Sequence, residues 1–133
     1  MQISQLFLRN FGKFENLSID FSPGLNIIKG PNEAGKSTLA EAITAAFFFS
    51  PEKNSDQIKK LIKWRCEDAP SLMAVLITGN DSFKLIKDFS KGLTELVGDK
   101  TTSKEKSGKD VDDWITNQLG MSSEVIFKAT ACI

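Results

Sequence analysis

Residues 17–21, Leu-Ser-Ile-Asp-Phe, alternate apolar and polar side chains with the two-residue period of a half-buried strand. Ile3 to Phe7 reads as a second strand, joined to the first through Phe11-Gly12-Lys13-Phe14. Leu72 to Thr78, Phe83 to Phe89 and Leu93 to Val97 are also strand-like. Gly79-Asn80-Asp81 and Ser90-Lys91-Gly92 separate them, which predicts an antiparallel meander of two hairpins. Pro23-Gly24 turns the chain into Leu25-Asn26-Ile27-Ile28, an apolar run expected to form a buried strand. Leu39 to Phe47 reads as a helix that starts at Lys36 and ends near Ser50-Pro51, because proline disfavours helix in the residue before it. The run Phe47-Phe48-Phe49 is too apolar for an exposed surface and is expected to dock on the sheet. Asn54 to Trp64 has the pattern of a short helix, with Asn54 as its cap and Ile58, Leu61 and Ile62 on one face. Lys100 to Lys109 is polar enough to predict a mobile loop. Asp110 to Leu119 predicts a helix with Val111, Trp114, Ile115 and Leu119 inward and Gly120 as its stop. Met121 to Ile133 is ambiguous, with Ser122 or Ser123 available to cap a short final helix.

After the apolar run Leu25 to Ile28, leading into the first helix, lies Gly30-Pro-Asn-Glu-Ala-Gly-Lys-Ser-Thr38, a complete Gly-x-x-x-x-Gly-Lys-[Ser/Thr] phosphate loop. Gly30 and Gly35 allow backbone turns closed to other residues, so that consecutive N–H groups converge on one anion. Lys36 carries a point charge able to reach β- and γ-phosphate oxygens, and it is the candidate catalytic residue. The Ser37 hydroxyl is placed to ligate Mg²⁺, an ion that keeps most of its shell as water and phosphate oxygen. The helix starting at Lys36 adds its N-terminal dipole. The motif requires strand, loop and helix in that order, and the flanking patterns supply it. Gly30, Asn32, Glu33, Ala34, Gly35, Lys36, Ser37 and Thr38 are therefore candidate nucleotide-binding residues. Glu33 is a carboxylate in an anion-binding loop and is expected to point away from the phosphates, either toward another subunit or lobe or simply into solvent.

Composition narrows the chemistry. At 133 residues the chain is read as one domain, and its formal net charge of zero does not announce a nucleic-acid binder. Histidine is absent, which removes the commonest general base and zinc ligand. Arg9 and Arg65 are the only arginines, fewer than a small-molecule kinase usually places around its phosphates. Cys66 and Cys132 have neither metal-like spacing nor the count of a disulfide framework, so a reducing cytoplasm is the expectation. No membrane span or signal peptide is evident in the pattern, and no membrane partner is expected. Asp110, Asp112 and Asp113 read as acidic residues complementing a helix dipole rather than as a second Mg²⁺ site. Lys59, Lys60, Lys63 and Arg65 around Trp64 read as a solvated helix face in preference to a nucleic-acid contact. Carriers for hydrolysis are missing: no recognisable group positions a water, and no second acidic motif ends an apolar strand.

Asn10-Phe11-Gly12-Lys13-Phe14, Ile19 to Ile28, Gly30 to Leu39 and Glu41-Ala42-Ile43 together resemble the N-terminus of SMC-type ATPases. That family includes structural-maintenance-of-chromosomes proteins, RecF, RecN, SbcC and related ABC-type repair ATPases. The Asn-Glu-Ala-Gly-Lys-Ser-Thr form of the loop looks most like the SbcC/RecF-like bacterial branch. The resemblance is detailed over residues 1 to about 45, and weaker through Ser71 to Val97 and Phe127-Lys-Ala-Thr130. It implies that Asn10 and Lys13 approach the nucleotide, and that Phe127 to Thr130 lies just upstream of a Q-loop glutamine. Lys29 and Ala40 depart from the family's commoner residues without touching the phosphate chemistry.

The expectation is an α/β lobe of the P-loop NTPase type, spanning residues 1–133. A mixed sheet would surround the loop-bearing strand, the Lys36 helix would pack beneath it, and an antiparallel meander would lie alongside. It would bind ATP with Mg²⁺ as one half of a composite ATPase head in DNA repair or chromosome maintenance. Alone it would be inactive, as a fragment without Walker B, signature and Q-loop residues. The resemblance implies a C-terminal lobe of the same protein, a coiled coil, a second head in an ATP-dependent homodimer, DNA and a possible nuclease subunit as partners. The alternatives are a complete small P-loop kinase or GTPase and a non-catalytic nucleotide-binding module.

Overall fold

A computed structural model of the chain describes residues 1–32, 34–51, 56, 59–60, 68–98 and 106–121. Six strands form one sheet: β1 (Gln2–Phe11), β2 (Phe14–Asp20), β3 (Ser71–Thr78), β4 (Asp81–Asp88), β5 (Leu93–Gly98) and β6 (Lys106–Ser107). Their order is β2-β1-β3-β4-β5-β6, and every neighbouring pair is antiparallel. Two helices, α1 (Lys36–Phe48) and α2 (Lys109–Leu119), accompany the sheet.

Strict alternation decides which face is buried. Leu6 and Leu8 of β1, Leu72, Ala74 and Leu76 of β3, Leu85 of β4 and Leu96 of β5 all point to one side and are buried. α1 covers them with Leu39, Ala42, Ala45, Ala46 and Phe47, and α2 adds Val111 and Ile115 to the same cluster. Each fully buried leucine contributes about 2 kcal/mol through removal from water, so the antiparallel sheet and α1 are the main source of stability. The meander of β3, β4 and β5 falls where the turn residues place it. α2 stops at Gly120, whose φ of 66° is the left-handed cap conformation favoured by glycine. Trp114 packs on Phe83 with ring centroids 4.9 Å apart. Phe47 is buried, as its apolar run requires, while Phe48 and Phe49 are only partly covered.

Several expectations change. The sheet is antiparallel throughout rather than mixed, because the segment expected to nucleate a mixed sheet is not a strand. Leu25, Ile27 and Ile28 are 87%, 68% and 47% exposed, and no neighbouring strand pairs with them among the described residues. A strand exists only where another backbone accepts and donates its hydrogen bonds. The apolar run meets the burial condition in composition and lacks the pairing condition in structure. α1 packs on the antiparallel sheet. Finally, the polar stretch expected as a loop through Lys109 contributes β6 at Lys106–Ser107, pairing with Glu95 and Leu96, and Lys109 opens α2. β1 is also longer than the run from Ile3 to Phe7, since Arg9 pairs with both β2 and β3 and Phe11 still pairs with Phe14 of β2.

Asp56, Lys59 and Lys60 are helical and exposed, consistent with a solvated lysine face. Asn54, Ile58, residues 61–67, Cys132, the final segment from Ser122 and the stretch Phe127 to Thr130 lie outside the described residues.

Candidate phosphate-binding site

The described residues of the loop between Gly30 and Gly35 close on one another. The Ala34 N–H donates to Pro31 O at 3.0 Å, and a Cβ on Gly30 would lie 3.0 Å from the Ala34 methyl. Gly35 is the N-cap of α1, with a φ of 97° that side chains resist. No side chain caps the first turn, and no acidic residue sits in it. The partial positive charge of the helix N-terminus is therefore neither capped nor countered by its own side chains. Lys36 turns back across the loop, and its Nζ donates to Gly30 O at 2.5 Å. An ammonium held by a neutral carbonyl exchanges favourably for anionic oxygens, because an opposite charge on the acceptor adds Coulomb attraction that a carbonyl lacks.

Ser37 is exposed at the helix start, where a hydroxyl can meet a hydrated cation. Among the described residues no group of three or more acidic, cysteine or histidine side chains could hold a metal. A Mg²⁺ here would take its remaining ligands from phosphate and water. Asn32 and Ala34 are exposed on the loop, while Glu33 lies outside the described residues.

The turn between β1 and β2 reaches this loop. Phe11 pairs with Phe14, leaving Gly12-Lys13 as a two-residue hairpin turn. Gly12 has a φ of 54° at the first central position, as a type II′ turn requires. It also touches α1, since a Cβ on Gly12 would collide with Thr38 Cγ2. Phe14 meets the loop end-on: a Cβ on Gly35 would lie 2.5 Å from Phe14 Cζ and 3.2 Å from both Cε atoms. Asn10, buried and itself at φ 51°, precedes the turn, and Lys13 is exposed at its tip. The structure thus brings the turn from Asn10 to Phe14 against the segment from Gly35 to Thr38. Sequence reasoning singled out Asn10 and Lys13 there and passed over Gly12 and Phe14. The available signal was a glycine between aromatic residues directly before an alternating strand.

Two further features could compete for functional attention. A cavity of about 440 Å³ opens on the other face of the sheet, over Phe7, Met73 and Ile86, with Arg9 and Asp88 as its charged residues. Asp88 Oδ1 accepts from Ser90 N at 2.9 Å, Ser90 Oγ at 2.6 Å and Lys91 N at 3.2 Å. Partial burial alone would raise the Asp88 pKa. The hydrogen bonds from Ser90 and Lys91 outweigh it and leave the carboxyl below its ordinary value. That carboxylate organises the β4–β5 turn, so the cavity offers no free acid or base. Lys87 is the second feature. Its side chain is fully buried, and its Nζ donates to Phe49 O at 2.6 Å and Ala45 O at 3.3 Å, with Asp112 Oδ1 3.9 Å away. It ties the C-terminus of α1 to the sheet, at the opposite end of that helix from the phosphate loop.

Among the described residues, no helix is long and apolar enough to cross a membrane. A family model described as an AAA domain matches residues 5–129. The chain is 35% identical over 69 residues to the DNA replication and repair protein RecF of Listeria welshimeri, covering 52% of this chain and 18% of that protein. It is 39% identical over 64 residues to the protein of the same name from Lactococcus lactis, covering 48% and 18%. It is 36% identical over 75 residues to that of Lachnoclostridium phytofermentans, covering 56% and 21%. The chain spans about a fifth of the length of these curated relatives.

Proposed function

The chain belongs to the AAA domain family, and from that premise we propose that it binds Mg·ATP as one half of a composite ATPase site acting on DNA. The observation that carries the nucleotide reading is the glycine-capped start of α1, with the loop curled over it and Lys36 folded back onto Gly30 O. Backbone amides of Gly30, Asn32, Ala34 and Gly35 are the proposed phosphate cradle, and those of Lys36 to Thr38 extend it into the helix; Glu33, a candidate from the motif, lies outside the described residues. Lys36 leaves its carbonyl for the β- and γ-phosphate oxygens and is the candidate catalytic residue through charge stabilisation. Ser37 contributes the protein's ligand to Mg²⁺, which when bound neutralises charge on the phosphate oxygens. Asn10 and Lys13 lie on the turn packed against the loop, within the same constellation.

The half-site reading rests on Leu25, Ile27 and Ile28. Three large apolar side chains stand exposed in the segment leading directly to the loop, with no strand beside them among the described residues. Burying them would gain several kcal/mol. Strands from a C-terminal lobe are the proposed cover, and that lobe is also the proposed source of the water-positioning and second acidic groups. A second head would close over the nucleotide, completing two sites at once. Three relatives carry the name DNA replication and repair protein, which supports DNA as the macromolecular partner.

Calorimetric titration of the chain with Mg·ATP tests the first step. Lys36→Ala removes a charge-assisted contact and is expected to weaken binding about 10- to 100-fold. Equal affinities for the two chains would remove the phosphate-loop reading.

A further inference from the structure

Phe14 belongs to no phosphate-binding motif, yet its ring is aimed tip-first at the residue on which that motif turns. The para carbon is the ring atom nearest to the Cβ position of Gly35, and the two Cε atoms flank it at equal distance. The ring is held from behind. Phe14 pairs in the sheet with the fully buried Phe11, and it packs against the main core. A second contact from the same turn, Gly12 against Thr38, lies three residues further along α1. The turn therefore touches the loop–helix junction at two points, and both points exclude a side chain on one partner.

We propose that Phe14 is a positioning residue for the phosphate loop: its ring tip, seated on Gly35, holds the left-handed turn from which α1 starts. This role presupposes that residues 30–38 hold a polyphosphate. Gly35 has a φ of 97° and no side-chain cap of its own, and the bonds inside the loop, Lys36 Nζ to Gly30 O and Ala34 N to Pro31 O, do not reach it. A strut from the sheet fixes it from outside. Pre-organisation of the N–H groups then costs the ligand nothing at binding. Because the contact is end-on, it discriminates by side-chain length. Tyrosine, ordinarily the mildest replacement for phenylalanine, adds its hydroxyl at the one ring position facing Gly35. Leucine removes the tip and leaves the apolar body.

The test compares wild type, Phe14→Tyr and Phe14→Leu by calorimetry with two probes, Mg·ATP and Mg·tripolyphosphate. Cooperative unfolding of each chain is followed by tryptophan fluorescence. A displaced loop weakens both probes by the same factor, about tenfold or more for Phe14→Tyr and severalfold for Phe14→Leu, with the unfolding transition retained. A tyrosine chain that binds both probes as wild type overturns the inference. So does a loss confined to Mg·ATP, which would assign the ring to the base instead of the loop. If the tyrosine chain fails to unfold cooperatively, Phe14→Leu decides: equal losses for the two probes support the strut, and wild-type affinity for tripolyphosphate overturns it. A wild-type chain that binds neither probe overturns the nucleotide reading and the strut together. Wild-type binding with unimpaired variants overturns the strut alone.

Discussion

Lys87 poses a question of sign that experiment can answer. A lysine on the buried face of β4 meets two carbonyls at the end of α1 and a carboxylate of α2, and β5 presents Thr94 beside it in register. Burial pulls its pKa from 10.5 down to about 8, against the opposing pull of Asp112. The folded state thus releases the proton before the unfolded state does. Between about pH 8 and 10.5 the unfolded chain binds more protons, and stability rises with pH. Below pH 8 both states are protonated, and the cost of burying the charge is fully present. The depression corresponds to roughly 3 kcal/mol at about 1.4 kcal/mol per unit. Lys87→Met keeps the length and removes the charge. Phe49 O loses its 2.6 Å donor, a penalty of about 1–3 kcal/mol, whereas Ala45 O still accepts from Phe49 N at 3.1 Å. These terms oppose each other, so near pH 7 the two chains should lie within about 2 kcal/mol.

The informative quantity is the difference between the chains across pH. Urea unfolding followed by tryptophan fluorescence, from pH 7 to 10.5, should show wild type gaining on Lys87→Met by about 3 kcal/mol through the alkaline window. The protein contains no tyrosine, so lysines and the two cysteines are the main other side chains titrating there, and both chains share them. A constant difference would show that burial does not depress this ammonium. A difference running the other way, with wild type losing ground as pH rises, would mean that the two carbonyls and Asp112 hold the charged form.

Gly12→Ala should cost about 2–4 kcal/mol, combining a left-handed φ with the collision against Thr38. Gly79→Ala, at φ 60° with nothing within 4 Å, should cost only about 1–2 kcal/mol in the same urea titration, so equal costs would deny the contact between turn and helix. Leu25→Asn with Ile27→Asn should leave the stability of the chain within about 0.5 kcal/mol, because both side chains already face solvent. A loss of several kcal/mol in chemical denaturation would show instead that the segment is buried within the chain itself.

The meander, both helices and the loop were legible because each is written in local terms: alternation, turn residues, a glycine stop and a fixed motif spacing. Lys87 was legible in principle and went unread. It shares parity with Leu85 and Phe89, both buried, so alternation alone assigns it to the core. A lysine's usual exposure hides that assignment. The seat of Phe14 on Gly35 was not legible, because it joins positions 21 residues apart through the geometry of a hairpin and a helix start. Spacing along the chain carries no trace of such a contact.

Leu25 to Ile28 marks a different boundary. Its composition states a demand for burial, and nothing local states who meets it. The antiparallel sheet is complete without this segment: its inner face is already covered by α1 and α2, and β2 ends the sheet on that side. Among the described residues the segment pairs with no strand of this sheet. It enters the loop through Lys29 and Gly30, so whatever covers it also bears on the cradle where Lys36 waits on the Gly30 carbonyl. In the proposed function, binding of phosphate and docking of a partner along residues 25–28 act on one short stretch of backbone, and coupling between nucleotide and partner needs no longer path than that.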